Sequence, residues 1–225
     1  VLLLIPMKNT MYPEYETAKT VVRPKITNFD KIIAFIESHP EINFINADKI
    51  LKDNKNTHQL FHQTDFHWND IGAFIISRDI VNNLSTWTNN NVGWKYDFIP
   101  KTITNFVGGQ INSLATFFPP KEDKLSISII ENSPPKLTIK EGAFTFHYVN
   151  NQHQKNKLFP KTVLFGNSFS LNFSETGLFN HFTEVYTIEN KQISNLDQII
   201  PENTKIVIWQ LIEVDMLSNN LFESQ

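Results

Sequence analysis

Two short segments carry side chains that together could do acyl chemistry. Gly166-Asn167-Ser168-Phe169-Ser170 sets a hydroxyl just after an apolar run, and Asp65-Phe66-His67 sets a carboxylate two residues before an imidazole. In an extended segment residues i and i+2 share a face, so Asp65 and His67 can meet. A carboxylate beside an imidazole fixes its tautomer and stabilises its protonated form. The other ring nitrogen is then free to take the proton of a serine hydroxyl, a poor nucleophile without such a base. On this reading Ser168 is the nucleophile, His67 the base and Asp65 its orienter. Phe66 should point the other way, into the core. Trp68 should wall the site or stack on a sugar ring, and Tyr12 and Trp94 offer further aromatic surfaces.

Each of these residues also has a plainer reading. Ser168 could simply cap a helix, as serine often does. Asp65 and His67 could be a satisfied buried pair. His62, Asp65 and His67, with His58 near, are metal-compatible ligand types, but their spacing matches no zinc pattern. His39, His147, His153 and His181 lack such company and are read as surface or core residues.

The elements that must position these residues follow from periodicity. Val1–Ile5 reads as a short buried strand ended by Pro6. Phe29, Ile32, Ile33 and Ile36 recur at helical spacing and predict a helix over 26–38, stopped at His39-Pro40. A strand is expected at 42–45 and a short helix at 47–52. The polar, His-rich stretch 57–68 precedes a helix over 70–84, with Asn69 or Asp70 as its cap. Residues 85–135 are the least regular, and 125–130 and 142–149 alternate enough to be strands. Thereafter the chain reads strand (161–165), helix (168–179), strand (183–188), helix (194–200), strand (205–210). That alternation implies a parallel sheet in an α/β fold. Ser168 would then sit at the carboxyl edge of the sheet, where such folds place ligands. The free N–H groups of Ser168 and Phe169 at the helix start, together with Asn167, are candidate oxyanion donors. One domain over 1–225, with an irregular β-rich insertion at about 86–157, is expected.

Composition narrows the chemistry. The chain has 225 residues, enough for one α/β domain, and 40% hydrophobic content is enough for a core. There is no Cys, which removes disulfides, thiolate metal sites and cysteine nucleophiles. A formal charge of −3 without a basic stripe gives no reason to expect nucleic acid. No Walker loop or dinucleotide glycine fingerprint occurs, so no cofactor is expected. The opening run Val1–Ile5 is too short to span a bilayer and reads as a strand, so a preceding segment is expected to be missing.

The same residues resemble a known family. Asp65-Phe66-His67-Trp68, followed by Asn69-Asp70-Ile71-Gly72-Ala73, is similar to a signature of the AlgJ/AlgX-type SGNH hydrolase-like proteins of alginate and exopolysaccharide O-acetylation. Gly166–Ser170 resembles their nucleophile block. Ile5-Pro6-Met7-Lys8 with Met11-Tyr12-Pro13-Glu14 resembles their opening segment. Gly108-Gly109-Gln110-Ile111 stands where they carry a Gly-Asp-Leu segment, and Ile206–Glu213 resembles their closing strand. Asn167 stands where Asp or Thr is usual, Gln110 where an acidic residue is common, and Val214 where several relatives have Arg. Asp65 and His67 precede Ser168, the reverse of ordinary SGNH esterases. The resemblance implies a three-layer α/β/α, flavodoxin-like fold, circularly permuted. It implies an O-acetyltransferase that moves acetyl groups onto a secreted polysaccharide through an acetyl-serine at Ser168. It also implies a membrane-bound acyltransferase as acetyl donor and a periplasmic location. A carbohydrate acetyl esterase on the same residues, or a non-catalytic glycan-binding or assembly protein of the same fold, are the alternatives.

Overall fold

The computed structural model describes residues 1–15, 24–109, 120–130, 137–140, 146–150, 157–190 and 199–217. Its strands are β1 (Leu2–Ile5), β2 (Phe44–Asn46), β3 (Asp97–Phe106), β4 (Glu122–Ile130), β5 (Leu137–Lys140), β6 (Phe146–Val149), β7 (Thr162–Gly166), β8 (Glu184–Glu189) and β9 (Ile206–Ile212). The helices are α1 (Lys8–Met11), α2 (Asn28–Glu37), α3 (Ala47–Asn54), α4 (Asp70–Trp87) and α5 (Glu213–Leu217). Seven strands form one sheet in the order β2-β1-β9-β7-β8-β6-β5. The first five are mutually parallel, whereas β6 runs antiparallel to β8 and β5 antiparallel to β6. β3 and β4 pair as a separate antiparallel ribbon.

The order of the five parallel strands is informative. Counted from β7, the strands β7, β8, β9, β1, β2 number one to five, and across the sheet they read 2-1-3-4-5. That is the flavodoxin-like order. This chain therefore carries a circular permutation of that fold, in which the two strands that would close the sheet come first.

Apolar side chains on alternate strand positions fill two layers. One face of the sheet presents Leu3, Ile5, Leu164, Ile206 and Ile208 to a core shared with α3 and α4. The other presents Leu4 and Leu211 to Phe29, Ile33 and Ile36 of α2. Val163, Phe165 and Ile188 form a smaller cluster on that second side. The result is three layers, α/β/α, with the ribbon packed on α4 through Phe98, Leu125 and Ile127.

The expected helices at 26–38, 47–52 and 70–84 are present, with local causes. Thr27 and Asp30 form a reciprocal capping box at the start of α2. Asn69, not Asp70, caps α4 by accepting from the N–H groups of Ile71 and Gly72. The helix expected over 168–179 is instead two 3-10 segments, Ser168–Ser174 and Leu178–His181. Gly177 stands between them at φ 79°, a left-handed conformation that ends helical continuity. The strand expected at 142–149 is described from Phe146, and most of the helix expected at 194–200 lies outside the described residues. β3 was not anticipated, because most of its residues are exposed and it contains Pro100.

Candidate active site

Three parallel strands deliver the site from one edge of the sheet. Ser168 follows the carboxyl end of β7, Lys8 follows β1, and Asp215 follows β9. β7 and β9 are neighbours at the point where the strand order reverses, the crevice in which α/β sheets hold ligands. Gly166 ends β7 for a steric reason. A side chain there would place its Cβ 2.7 Å from Gln210 Oε1 and 3.0 Å from the Ser170 side chain.

Asp65 and His67 arrive from the opposite direction, on the loop between α3 and α4. Phe61 and Trp68 form an antiparallel bridge at its base. The His62 N–H donates to His67 O (3.1 Å) and the Asn69 N–H to Leu60 O (2.9 Å), so the loop closes on itself. Its tip is bent, not extended, yet the two side chains meet. His67 Nδ1 lies 2.7 Å from Asp65 Oδ1, and the same oxygen accepts the His67 main-chain N–H at 3.2 Å. On the far side of the ring, His67 Nε2 lies 2.7 Å from Ser168 Oγ. A carboxylate, an imidazole and a hydroxyl thus form one continuous hydrogen-bonded chain.

The loop is held from three sides. The buried Glu122, first residue of β4, accepts from the N–H groups of Gln63 (2.6 Å) and Thr64 (2.9 Å) and from Thr64 Oγ1 (2.6 Å). The Lys8 ammonium donates to the carbonyls of Gln63 (2.7 Å) and Asp65 (3.1 Å). Past β3, the Gly108 N–H donates to Thr64 Oγ1 and the Gly109 N–H to Asp65 Oδ2, both at 2.9 Å.

Burial raises the Asp65 carboxyl, but the bonds from the His67 ring and main chain, the His67 charge and the Gly109 N–H outweigh it and hold it below its ordinary value. It is therefore a carboxylate at neutral pH, as an orienting group must be. Glu122 behaves alike: burial raises it, and the Thr64 and Gln63 donors together bring it lower than usual.

Other expected residues have different surroundings. Trp68 has no exposed surface; its indole N–H donates to Phe169 O at 3.0 Å, and its ring packs on Phe169 and Phe173. It anchors the loop from inside the core and offers no face for a sugar. Phe66, expected in the core, lies half-buried with its ring 3.9 Å from the His67 ring and 5.7 Å from that of Phe169. Trp94 stacks on His181 at 4.9 Å.

Asn167 and the Phe169 amide are occupied. Asn167 Oδ1 accepts from the Phe169 N–H (3.1 Å) and from Gln210 Nε2 (2.9 Å), while its Nδ2 donates to Asp215 Oδ2 (2.8 Å). Both groups thus hydrogen-bond within the protein, Asn167 Nδ2 through one of its two N–H donors. The Ser168 N–H has no partner among the described residues. Tyr12 is half-buried, its hydroxyl accepting from the Leu60 N–H at 3.2 Å, and it lines a cleft beside the loop. Gln110 lies outside the described residues. Among the described residues no three His, Asp or Glu side chains gather to hold a metal. His62, one of the metal-compatible residues, packs instead on the Phe106 ring at 5.1 Å.

Sequence reasoning missed Glu122, Gln210 and Asp215. Nothing in their local sequence marks them, since each acts across the fold on a segment more than 40 positions away.

Comparison with known proteins agrees with this architecture. A family model described as the SGNH hydrolase-like domain of the acetyltransferase AlgX matches residues 1–122. That span includes the Asp65–His67 loop and stops short of Ser168. Among solved structures, Bacillus cereus PatB1 carrying a sulfonyl adduct superposes with a TM-score of 0.68 at 14% identity, covering 99% of this chain and 82% of that one. The O-acetyltransferase domain of Pseudomonas putida AlgJ gives 0.59 at 16% identity, over 100% and 77%. A DHHW family protein from Eubacterium siraeum gives 0.62 at 12% identity, over 94% and 77%. At these identities the likeness is one of fold. A search of curated proteins found no significant match.

Proposed function

Because this chain belongs to the family of AlgX-type SGNH hydrolase-like acetyltransferase domains, we propose that it is a serine-dependent O-acetyltransferase acting on the hydroxyl groups of a polysaccharide. The observation that carries the reading is the unbroken chain Asp65–His67–Ser168, with contacts of 2.7 Å on both sides of the imidazole.

In this mechanism His67 Nε2 takes the Ser168 proton as Oγ attacks the carbonyl carbon of an acetyl ester. Asp65 holds the ring tautomer and stabilises the imidazolium that forms. The Ser168 N–H faces the developing oxyanion, and one such donor is worth about 3 kcal/mol of barrier lowering. Collapse of the tetrahedral species expels the donor alkoxide, which takes the proton from His67, and leaves acetyl-serine. A sugar hydroxyl then gives its proton to His67 and attacks the acetyl carbon. The second collapse returns the proton to Ser168 and releases the acetylated sugar. Water in place of the sugar gives an esterase on the same residues.

The acetyl donor in this proposal is a membrane-bound acyltransferase or a small ester, and the compartment is the periplasm. Among the described residues no helix is long and apolar enough to cross a membrane. Acetyl release from p-nitrophenyl acetate by the wild type and by Ser168→Ala, with and without oligosaccharides, tests the reading. Activity lost in the variant and acetyl found on a sugar supports transfer. Activity lost with water as the sole acceptor supports the esterase. A Ser168→Ala protein as active as the wild type overturns both.

A further inference from the structure

Beside the Asp65 loop lies a cleft of 740 Å³. Its walls include Tyr12, Tyr15 and Phe61 on one hand and Gln59, His62 and Gln63 on the other. Gln63 is two residues from Asp65, so the wall of the cleft is the loop that carries the proposed orienter. The aromatic side is graded in exposure: Phe61 is buried, Tyr12 half-buried, and Tyr15 77% exposed. The Tyr12 ring stands 6.0 Å from that of Tyr15 and 6.1 Å from that of Phe61. A Tyr held open in this way offers an apolar face with a polar edge.

His62 supplies a second, independent sign of a ligand. The residue is 5% exposed, its Nδ1 is buried without a partner, and its other ring nitrogen has no hydrogen-bond partner among the described residues. Buried polar groups are nearly always satisfied, and a histidine in a cleft wall with neither nitrogen bonded stands out. Burial and the neighbouring Lys124 charge both lower its pKa, so the ring is neutral and has one donor and one acceptor nitrogen. Nδ1 is enclosed, so a ligand in the cleft meets the ring through the other nitrogen, which as donor or acceptor suits a hydroxyl group.

The cations of the cleft are already engaged. Lys8 donates to two carbonyls of the loop and feels the charges of Glu122 and Asp65. Lys55 donates to Met11 O (2.9 Å) and to Glu14 (3.3 Å). The surface that remains is aromatic, amide and imidazole, without an uncompensated charge.

We propose that this cleft is an acceptor subsite for a neutral, hydroxyl-rich sugar ring, stacked on Tyr15 and hydrogen-bonded by His62. The assignment rests on the acetyl-transfer reading above for the identity of the acceptor. The test is separable from it, because binding is measured on the Ser168→Ala protein, where no transfer occurs. Maltohexaose, cellohexaose and chitohexaose are titrated by calorimetry, with hexagalacturonate as the charged comparison at low and high salt. At least one neutral hexasaccharide is expected to bind in roughly the millimolar range or tighter. Tyr15→Ala, at an exposed position that leaves the fold intact, is expected to weaken it about tenfold. His62→Ala should weaken it too, whereas Phe35→Ala on the exposed face of α2 should not. The proposal is overturned if no neutral sugar binds, if Tyr15→Ala binds as tightly as its parent, or if hexagalacturonate binds tightest and loses affinity with salt. Loss of acetyl release in Ser168→Ala bears only on the catalytic reading.

Discussion

On the proposed mechanism, the reactivity of Ser168 depends on a ring held between two partners at 2.7 Å, and the orienting partner can be altered on its own. Asp65→Asn keeps the size of the side chain but puts an amide N–H donor where the carboxylate accepted, so that His67 Nδ1 becomes the acceptor and the ring takes the wrong tautomer. The expected result is a fall in kcat of about 10⁴, with little change in KM, measured on p-nitrophenyl acetate. That the Ser168, His67 and Asp65 side chains would meet was legible from residue type and spacing, since the Asp-x-His spacing keeps two of them within reach. Trp68 was not. A large aromatic next to a reactive residue reads equally well as a ligand platform or a core anchor. The choice is made by Phe169 and Phe173, a hundred positions away, which enclose it.

At the scale of elements, the loop between α3 and α4 is positioned by what grips it. Glu122→Gln removes the charge that three donors converge on. Charge-assisted bonds of this kind support an expected loss of about 2 kcal/mol in urea unfolding at neutral pH. The variant should also alter the response to acid. Glu122 and Asp65 titrate lower in the folded protein than their ordinary values of 4.5 and 3.8. As pH falls the unfolded chain takes up these protons first, so the stability they provide is full above those values and drains away below them. Glu122→Gln should therefore flatten the decline of stability between about pH 5 and pH 3. Gly108→Ala tests the third grip. A Cβ there meets the Thr64 carbonyl, so the segment after β3 must lift, and the bond from Gly109 to Asp65 lengthens or breaks. The expected cost is about 1–3 kcal/mol in unfolding together with a drop in kcat. The long helices were legible because their apolar stripes and caps are local. The 3-10 character after Ser168 was not, since its hydrophobic spacing reads as helical until Gly177 interrupts it.

For the molecule as a whole, the alternation of elements pointed to a parallel sheet, but no pattern in the chain states which strands are neighbours. That depends on which crossovers the packing favours. The permutation makes a prediction of its own. A re-linked chain that starts just before β7, with the segment after α5 joined to Val1, restores the flavodoxin-like order in sequence. It brings β9 and β1, now about two hundred positions apart, close along the chain. The same cut parts β6 from β8 along the chain, so no gain in folding speed follows, and the permutant is expected to reach the same sheet and keep ester hydrolysis, checked by circular dichroism and p-nitrophenyl acetate turnover. A permutant that fails to form this sheet would overturn the equivalence of the two strand orders.

The pairing of β1 with β9 also bears on how the protein is made. The Val1 N–H donates to Val207 O at 2.7 Å, so β1 waits for β9. On the ribosome, β1 and β7 each present an open edge until β9 emerges to fill the gap between them. Unpaired apolar edges of nascent chains are the surfaces that aggregate or recruit chaperones. A growing chain of this topology therefore remains a client for such helpers from the emergence of β1 until β9 follows it, and commits to its native sheet only then.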